Sequence, residues 1–252
     1  MHVLCDLDGV VWRADTPIPS AAGAVARLRA AGHRVVFVSN NSYVPVAGVE
    51  AKLARFGIPA EGDVFTSAQA AARLVGARER VLLLGGPGIA GELASVGAEV
   101  VEPGDDGPVD VVVVGLDPAF TYDALARATR ALRGGARLIG TNGDITYPTA
   151  EGVIPGAGSL LAAVAAAGGV APVVAGKPHG PMAALVRESL GVGPWDVMVG
   201  DRADTDGAFA RALGCRFALV LSGVTASAAG VEPMPDLVAA HLGEVSDAIT
   251  SP

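Results

Sequence analysis

The sequence is poor in cysteine and in positive charge. Its two cysteines, Cys5 and Cys215, are too few for a disulfide framework, and both lie in apolar runs that predict buried, inert thiols. The 18 lysines and arginines are outnumbered by 26 acidic residues, which gives a net charge of -8. Proteins that bind nucleic acid or an anionic membrane need a basic field, so both classes are disfavoured. An anionic substrate would need a local positive centre, such as a metal ion or one well-placed lysine.

The chain also lacks an uninterrupted hydrophobic run long enough to cross a membrane. No charged residue lies between Glu151 and Lys177, a stretch of sufficient length. Glycines and prolines break it, however, and the pattern predicts a helix over about 158–167 with turns on both sides. The start, Met1-His2-Val3, has no basic segment followed by an apolar one, so we expect no signal peptide and a cytoplasmic protein.

What the chain has is alternation of apolar strand-like runs with helical patterns. With 252 residues, 51% of them hydrophobic, it can form one large domain or two small ones with a substantial core. The alternation predicts an α/β fold with a parallel sheet. Ser20 is positioned to cap a helix over about 21–31. The strands are expected at about 2–7, 35–38, 64–65, 81–84, 111–114, 137–140, 173–175, 197–199 and 217–221.

The first strand ends in Asp6-Leu7-Asp8-Gly9-Val10. Residues i and i+2 of a strand point to the same side, so Asp6 and Asp8 lie together where the strand ends. Gly9 permits a sharp turn and a close approach of the backbone to a ligand. Two adjacent carboxylates repel each other unless a cation or a proton offsets their charge. An acidic strand-to-turn junction without function is the alternative interpretation.

Polar clusters follow other strands in the same way. Ser39-Asn40-Asn41 follows the second strand, Asp201 to Asp206 follow a later one, and Lys177 precedes a helix. Ligands of open α/β sheets bind outside the carboxyl ends of the strands, where these clusters would converge.

The chemistry that needs this set of groups is phosphoryl transfer. Mg²⁺ prefers oxygen ligands, which Asp6, Asp201 and the main-chain carbonyl of Asp8 can supply. One carboxylate can attack phosphorus, and the other can protonate the leaving alcohol and then deprotonate water. Ser39 can donate to the phosphoryl oxygens, and Lys177 can neutralise developing charge.

Four ordered motifs resemble those of the haloacid dehalogenase (HAD) superfamily: Asp-Leu-Asp-Gly-Val, Ser-Asn-Asn, Gly-Lys-Pro and Gly-Asp-Arg-x-x-Thr-Asp. More closely, they are similar to its NagD / 4-nitrophenylphosphatase branch. The resemblance covers nearly the whole chain. It implies a Rossmann-like catalytic core at 1–78 and 172–252, with an inserted α/β cap at 79–171 that sets substrate specificity.

The resemblance also implies roles for individual residues. Asp6 would be the nucleophile and a Mg²⁺ ligand, and Asp8 the general acid/base with its carbonyl on the metal. Asp201 would bind Mg²⁺, with Asp206 supporting the metal's waters. The implied phosphate-binding residues are Ser39, Asn40, Lys177 and Gly9. In the cap, the loop from Asp144 to Val153 would contact substrate, with Asn142, Asp144 and Tyr147 as candidates.

These observations predict a Mg²⁺-dependent phosphatase that hydrolyses small phosphomonoesters through an aspartyl-phosphate. Two alternatives stay open: a phosphomutase or dehalogenase of the same fold, and a catalytically silent small-molecule-binding protein. The expected partner is a small phosphorylated metabolite, with no nucleic acid and no membrane, and a homodimer through the cap is an option. Gly86-Pro87-Gly88-Ile89-Ala90-Gly91 fits a dinucleotide-binding fingerprint, but Pro87 removes an amide from the loop that would face the phosphates.

Overall fold

The computed structural model describes residues 1–102, 104–105, 107–149 and 152–251. Within them the chain divides into two compact units. The first contains Met1–Ser39, Val46–Phe65 and the chain from Lys177 onward, and the second contains Asn40–Pro45 and Thr66–Gly176. The limits expected for a catalytic core and a cap stay predictions, because compactness alone assigns no function to either unit.

Strands and helices alternate along most of the chain, as the apolar pattern predicts. The strands of the described residues are β1 His2–Cys5, β2 Trp12–Arg13, β3 Thr16–Pro17, β4 Arg34–Ser39, β5 Val64–Thr66, β6 Arg80–Leu84, β7 Glu99–Val100, β8 Val111–Val114, β9 Arg137–Gly140, β10 Thr146–Thr149, β11 Gly152–Pro155, β12 Val173–Val174, β13 Val197–Gly200, β14 Arg216–Val220 and β15 Leu237–Ala239. The α-helices are α1 Ala21–Ala30, α2 Val46–Arg55, α3 Ser67–Ala72, α4 Pro87–Ser95, α5 Tyr122–Arg133, α6 Ala157–Gly168, α7 Gly180–Leu190, α8 Ala208–Leu213 and α9 Leu242–Thr250, and a π-helical turn spans Ala203–Gly207.

The first unit is built on a sheet with the order β15-β14-β13-β1-β4-β5. Strand β1 lies near its middle and runs parallel to both neighbours, with Cys5 opposite Val199 of β13 and Phe37 of β4. Val3 and Leu4 are fully buried, as continuous apolar strands of a parallel sheet are when helices cover both faces. This arrangement brings the carboxyl ends of β1, β4 and β13 to one edge.

The second unit has its own parallel sheet, with the order β12-β9-β8-β6-β7. All four valines of β8 are fully buried. Leu132 of α5 and Val164 of α6 pack into the same core as Val112 and Val114 of that strand. Thr121 caps α5 by accepting a hydrogen bond from the N–H of Ala124. The prediction of an α/β fold with parallel sheets is confirmed in both units.

Three local predictions are wrong. The Ser20 hydroxyl does not cap α1: its main chain is already helical, with φ -79° and ψ -16°, so the side chain cannot reach the next turn. The expected loop from Asp144 to Val153 contains the antiparallel strands β10 and β11, which pair Tyr147 with Ile154. The first strand ends at Cys5 rather than residue 7, because the chain turns at the acidic motif.

The prediction of buried thiols is confirmed. Cys5 and Cys215 are both free and buried. Burial raises the pKa of the Cys5 thiol to about 12 and that of Cys215 to about 11, so neither carries appreciable thiolate at neutral pH. The uncharged stretch between Glu151 and Lys177 contributes the 12-residue helix α6. Among the described residues, none of the helices combines the length and apolar character required to cross a membrane.

Candidate active site

The site of the first unit begins where β1 ends. The N–H of Asp6 donates to the Val199 carbonyl at 2.9 Å, which continues the pairing of β1 with β13 by one residue. The chain then turns, with the Leu7 carbonyl accepting from the N–H of Val11 at 2.8 Å. Gly9 takes a φ of +81°, a conformation that favours glycine. The turn holds both carboxylates of the motif at the end of the strand.

Lys177 joins the acidic groups of two motifs. Its Nζ donates to Asp6 Oδ1 at 2.7 Å and to Asp206 Oδ1 at 2.8 Å. The Lys177 side chain is 3% exposed, so this ammonium is removed from water and stabilised by its two carboxylates. Burial acts to lower the pKa of Lys177, but attraction to Asp206 and Asp6 outweighs burial, and the net pKa is raised. Lys177 is therefore a permanent positive charge beside Asp6.

Asp201 follows β13, and its carboxylate is held by a main-chain N–H group. Its Oδ2 accepts from the N–H of Val224 at 2.6 Å. A Cβ atom at Gly9 or at Gly223 would overlap with the Asp201 carboxylate, so both positions need glycine for the carboxylate to fit. Burial raises the pKa of Asp201 to about 6, and repulsion from Asp6 adds to the rise.

Three carboxylates of this site are close enough to share a metal ion. Among the described residues, one oxygen each of Asp6, Asp201 and Asp206 lies within 4.8 Å of the other two. Asp6 and Asp201 also repel each other, and burial raises the pKa of Asp206 as well. An all-carboxylate donor set with excess negative charge fits a hard divalent cation such as Mg²⁺. The residues present therefore suit the metal that the sequence predicts.

The Asp8 carboxyl lies apart from this group of three. Its Oδ1 accepts a hydrogen bond from the Trp12 indole Nε1 at 3.0 Å. Burial raises the pKa of Asp8 to about 6, and repulsion from Asp6 raises it further, whereas the indole hydrogen bond and Lys52 act in the opposite direction. A carboxyl with a pKa near the working pH can give and take a proton, as a general acid/base must.

The remaining predicted site residues are divided between the two units. Ser39 ends β4, the neighbour of β1, and is 2% exposed. Asn40 belongs to the second unit, where its Nδ2 donates to Asp144 Oδ2 at 3.0 Å. The Asn142 amide donates to the Asn40 carbonyl at 2.8 Å, so these three predicted residues form one group. Tyr147 lies on β10 and is half-buried.

The glycine-rich stretch at 86–91 is a packing feature. The N–H groups of Gly88 and Ile89, in the first turn of α4, donate to the carbonyls of Tyr43 and Ser42 at 2.8 and 3.0 Å. A Cβ atom at Gly86 would overlap with the Tyr43 ring. A dinucleotide site needs these amides for its pyrophosphate. Here they are already used, so the fingerprint does not describe a cofactor site.

Sequence reasoning missed three contributors to the site. They are Trp12, the main-chain N–H of Val224, and Ser222, whose hydroxyl donates to the Gly9 carbonyl at 2.6 Å. The stretch Leu221-Ser222-Gly223 follows β14 as the other motifs follow their strands, and this signal could have identified it. No sequence pattern indicates the role of Trp12, because the direction of its side chain depends on how the turn folds.

Two family models match the chain. One, described as haloacid dehalogenase-like hydrolase, matches residues 3–99, and a second, described as HAD-hydrolase-like, matches residues 174–245. Together they cover more than half of the chain. The two models thus identify the chain as a hydrolase of the haloacid dehalogenase-like class.

Individual relatives agree with the models. The chain is 39% identical over 232 residues to the D-glycerol 3-phosphate phosphatase of Mycobacterium tuberculosis, which covers 89% of this chain and 64% of that protein. It is 38% identical over 240 residues to mouse chronophin, covering 88% of this chain and 81% of chronophin. The structure of the M. tuberculosis glycerol phosphate phosphatase with magnesium superimposes with a TM-score of 0.87 at 36% identity, covering 96% of this chain and 74% of that one.

The chain belongs to the haloacid dehalogenase-like hydrolase family. The sequence-based predictions of this family, of its phosphatase branch and of magnesium as the metal are confirmed by these comparisons. The chain spans 64% of the length of the M. tuberculosis D-glycerol 3-phosphate phosphatase, so 36% of that protein lies outside the match.

Proposed function

We propose that this protein hydrolyses small phosphomonoesters, with Asp6 as the nucleophile and Asp8 as the general acid/base. The observation that carries the proposal is the contact of Lys177 Nζ with Asp6 Oδ1 at 2.7 Å, inside a group of carboxylates able to hold a metal. A carboxylate held by a buried ammonium is fixed in direction, as a nucleophile that must meet an anionic substrate requires.

Mg²⁺ would be held by Asp6, Asp201 and the main-chain carbonyl of Asp8, with Asp206 supporting its waters. Bound there, the ion supplies positive charge next to the phosphoryl oxygens and offsets repulsion between the phosphate and the carboxylates. On the protein side, Lys177 provides a second positive charge, and Ser39 and the main chain at Gly9 bind phosphoryl oxygens.

The first step transfers the phosphoryl group to the protein. An Asp6 carboxylate oxygen bonds to phosphorus while the bond from phosphorus to the alcohol oxygen breaks. The leaving oxygen takes the proton of Asp8, whose raised pKa of about 6 keeps part of the population protonated near neutrality. The products of this step are a free alcohol and an aspartyl-phosphate at Asp6.

The second step returns the protein to its initial state. Asp8, now a carboxylate, takes a proton from a water molecule as the water oxygen bonds to phosphorus. The bond between phosphorus and the Asp6 oxygen breaks, which releases inorganic phosphate. Asp8 is then protonated and Asp6 ionised, ready for another ester.

The substrate class rests on the named relatives. They include proteins named D-glycerol 3-phosphate phosphatase, acid sugar phosphatase and 5'-nucleotidase, and each name indicates a small phosphorylated substrate. We propose a substrate from this class, with Asn40 as a phosphate contact and Asn142, Asp144 and Tyr147 as specificity residues of the cap. A cytoplasmic location, a homodimer through the cap and the absence of nucleic-acid and membrane partners stay predictions of the sequence.

The proposal is tested by assaying the purified protein with Mg²⁺ on 4-nitrophenyl phosphate and on a panel of phosphorylated metabolites. We expect phosphate release that EDTA removes and added Mg²⁺ restores. Turnover that resists EDTA would contradict the metal assignment, and no turnover of any ester would contradict the hydrolase assignment.

A further inference from the structure

Trp12 makes a specific contact with the Asp8 carboxyl. Its indole Nε1 donates to Asp8 Oδ1 at 3.0 Å. Within the residues that the structure describes, no other side chain hydrogen-bonds this carboxyl. An indole nitrogen is a donor only, so the oxygen that faces it always acts as an acceptor.

The main chain between the two residues is fixed by hydrogen bonds within the turn. The Leu7 carbonyl accepts from the N–H groups of Val10, Val11 and Trp12. The Trp12 carbonyl in turn accepts from the N–H of Gly9 at 2.7 Å. Trp12 then pairs with Pro17 in the two-stranded hairpin of β2 and β3. The turn therefore leaves the indole little freedom to move away from Asp8.

The ring itself is held on two further sides. Trp12 is 5% exposed and meets the Phe56 ring edge to face, with centroids 5.9 Å apart. Lys52 Nζ lies 4.5 Å from the indole centroid, a cation–π contact. Lys52 is fixed by Asp15 at 3.0 Å and by the Ala14 carbonyl at 2.7 Å. Three side chains of the unit, those of Phe56, Lys52 and Asp15, thus serve to place one indole N–H.

We propose that Trp12 is a positioning residue that fixes Asp8 through its donor-only N–H, so that Oδ2 rather than Oδ1 carries the transferable proton. This inference rests on the proposed function, in which Asp8 protonates the leaving alcohol. Because Oδ1 of Asp8 accepts the indole hydrogen bond, the proton of the acid form resides on Oδ2. The carboxyl group is held so that Oδ2 is directed away from the Trp12 ring. The same oxygen then accepts the proton of water in the second step.

The test is Trp12→Phe, which keeps an aromatic ring for Phe56 and Lys52 and removes the N–H. General acid catalysis contributes about 10²–10⁴-fold, and it matters most for a leaving group of high pKa. We expect kcat/KM, which reports only the steps up to departure of the alcohol, to fall about tenfold or more on glycerol 3-phosphate, an alkyl ester. We expect kcat/KM on 4-nitrophenyl phosphate, whose leaving group needs little protonation, to change by less than about threefold.

Two variants serve as controls. Trp195→Phe removes the exposed indole of the chain's other tryptophan, so it should leave the ratio of the two kcat/KM values unchanged. In an Asp8→Asn background, Trp12→Phe should add little further loss on the alkyl ester, because residues that act as one unit are not additive. An equal fall on both esters, or full additivity with Asp8→Asn, would overturn the positioning role.

A measurement independent of turnover covers the case in which Trp12→Phe does not fold. The chain has two tryptophans, and Trp195 is 79% exposed. In a ¹⁵N-labelled protein, Asp8→Asn should shift one indole N–H resonance and leave that of Trp195 unchanged. If neither indole resonance shifted, the hydrogen bond between Trp12 and Asp8 would be contradicted.

If the wild type hydrolysed neither ester, the proposed function would fail together with this role. If it hydrolysed both and Trp12→Phe slowed them equally, only this role would fail.

Discussion

The ammonium of Lys177 lies 2.8 Å from Asp206 Oδ1, and the two side chains are 3% and 2% exposed. Asp206 Oδ2 also accepts from the N–H of Arg202 at 3.2 Å, which ties the acid to the start of the π-helical turn. A buried pair of this kind adds little net stability compared with apolar residues, but breaking it leaves an uncompensated charge. The chemistry of the site therefore explains this pair better than the stability of the fold does.

We predict that Lys177→Met abolishes activity and destabilises the fold. Asp206 and Asp6 would lose their shared partner, a change that costs about 3–5 kcal/mol in a buried pair. Urea unfolding of the metal-free protein measures this. Arg211→Met, which removes a surface ion pair with Asp236, is the matched control and should cost no more than about 1 kcal/mol. Equal destabilisation by the two variants would contradict the account of Lys177.

Asp6→Asn should abolish hydrolysis of 4-nitrophenyl phosphate in the presence of Mg²⁺. Enzymes accelerate phosphomonoester hydrolysis by up to ~10²¹-fold, so loss of the nucleophile should be close to total. Asp247→Asn changes an exposed acid of the same unit and should keep full activity. Activity of Asp6→Asn within tenfold of the wild type would exclude the covalent mechanism.

The raised pKa of Asp201 makes the metal-free protein's stability depend on pH. A raised folded-state pKa means that the folded protein binds this proton more tightly than the unfolded chain does. The stability that protonated Asp201 contributes to the folded protein is therefore fully present below about pH 4 and is lost as the pH rises through about 6. In EDTA, Asp201→Asn should gain stability relative to wild type between pH 5 and pH 8.

The control for this prediction is Asp204→Asn. The hydrogen bond from Arg202 holds the pKa of Asp204 below its usual range, so this acid stays ionised in both states between pH 5 and pH 8. Its substitution should change the free energy of unfolding by the same amount at both pH values. Addition of Mg²⁺ should stabilise wild type and Asp204→Asn but not Asp201→Asn.

The pKa of Asp8, raised to about 6, predicts how pH affects different leaving groups. As pH rises above about 6, Asp8 loses the proton that an alkyl leaving group needs. The ratio of kcat/KM for glycerol 3-phosphate to that for 4-nitrophenyl phosphate should therefore fall with rising pH. Using a ratio reduces the effect of ionisation of the phosphate itself. A ratio that is constant from pH 5 to pH 8 would exclude Asp8 as the acid.

Gly223→Ala should weaken Mg²⁺ binding by about tenfold or more, the range seen when groups that support metal ligands are disturbed. The added methyl group would overlap with the Asp201 carboxylate and displace it. Gly193→Ala adds a methyl group in open space and is the matched control. Calorimetric titration with Mg²⁺ measures both, and unchanged affinity in Gly223→Ala would show that the carboxylate can move without loss.

Much of the fold and of the candidate site could be predicted because both follow from strand ends. Asp6 and Asp201 each follow an apolar run, and parallel neighbours bring such ends together. Lys177 was predicted from its motif, and the structure places its ammonium against Asp6. The apolar runs predicted the parallel sheets because buried parallel strands are hydrophobic on both faces.

The remaining features depend on tertiary structure. Ser20 has the residue type of a helix cap, but the helical main chain at that position prevents the contact. Strand β10 contains Pro148, a residue that argues against strand in a sequence pattern, although it is tolerated in a two-stranded ribbon. The donor to Asp201 is the main-chain N–H of Val224, and such a group has no residue type to identify it.

Asp6 is separated from its ammonium partner by about two thirds of the chain. Asp6 lies 171 positions before Lys177, and the N–H that holds Asp201 belongs to Val224. During synthesis on a ribosome, the residue proposed as nucleophile emerges long before the ammonium that restrains it. Catalytic competence must then arrive late, after β14 has left the exit tunnel, and partial chains that end before residue 224 would be inert toward cellular phosphate esters.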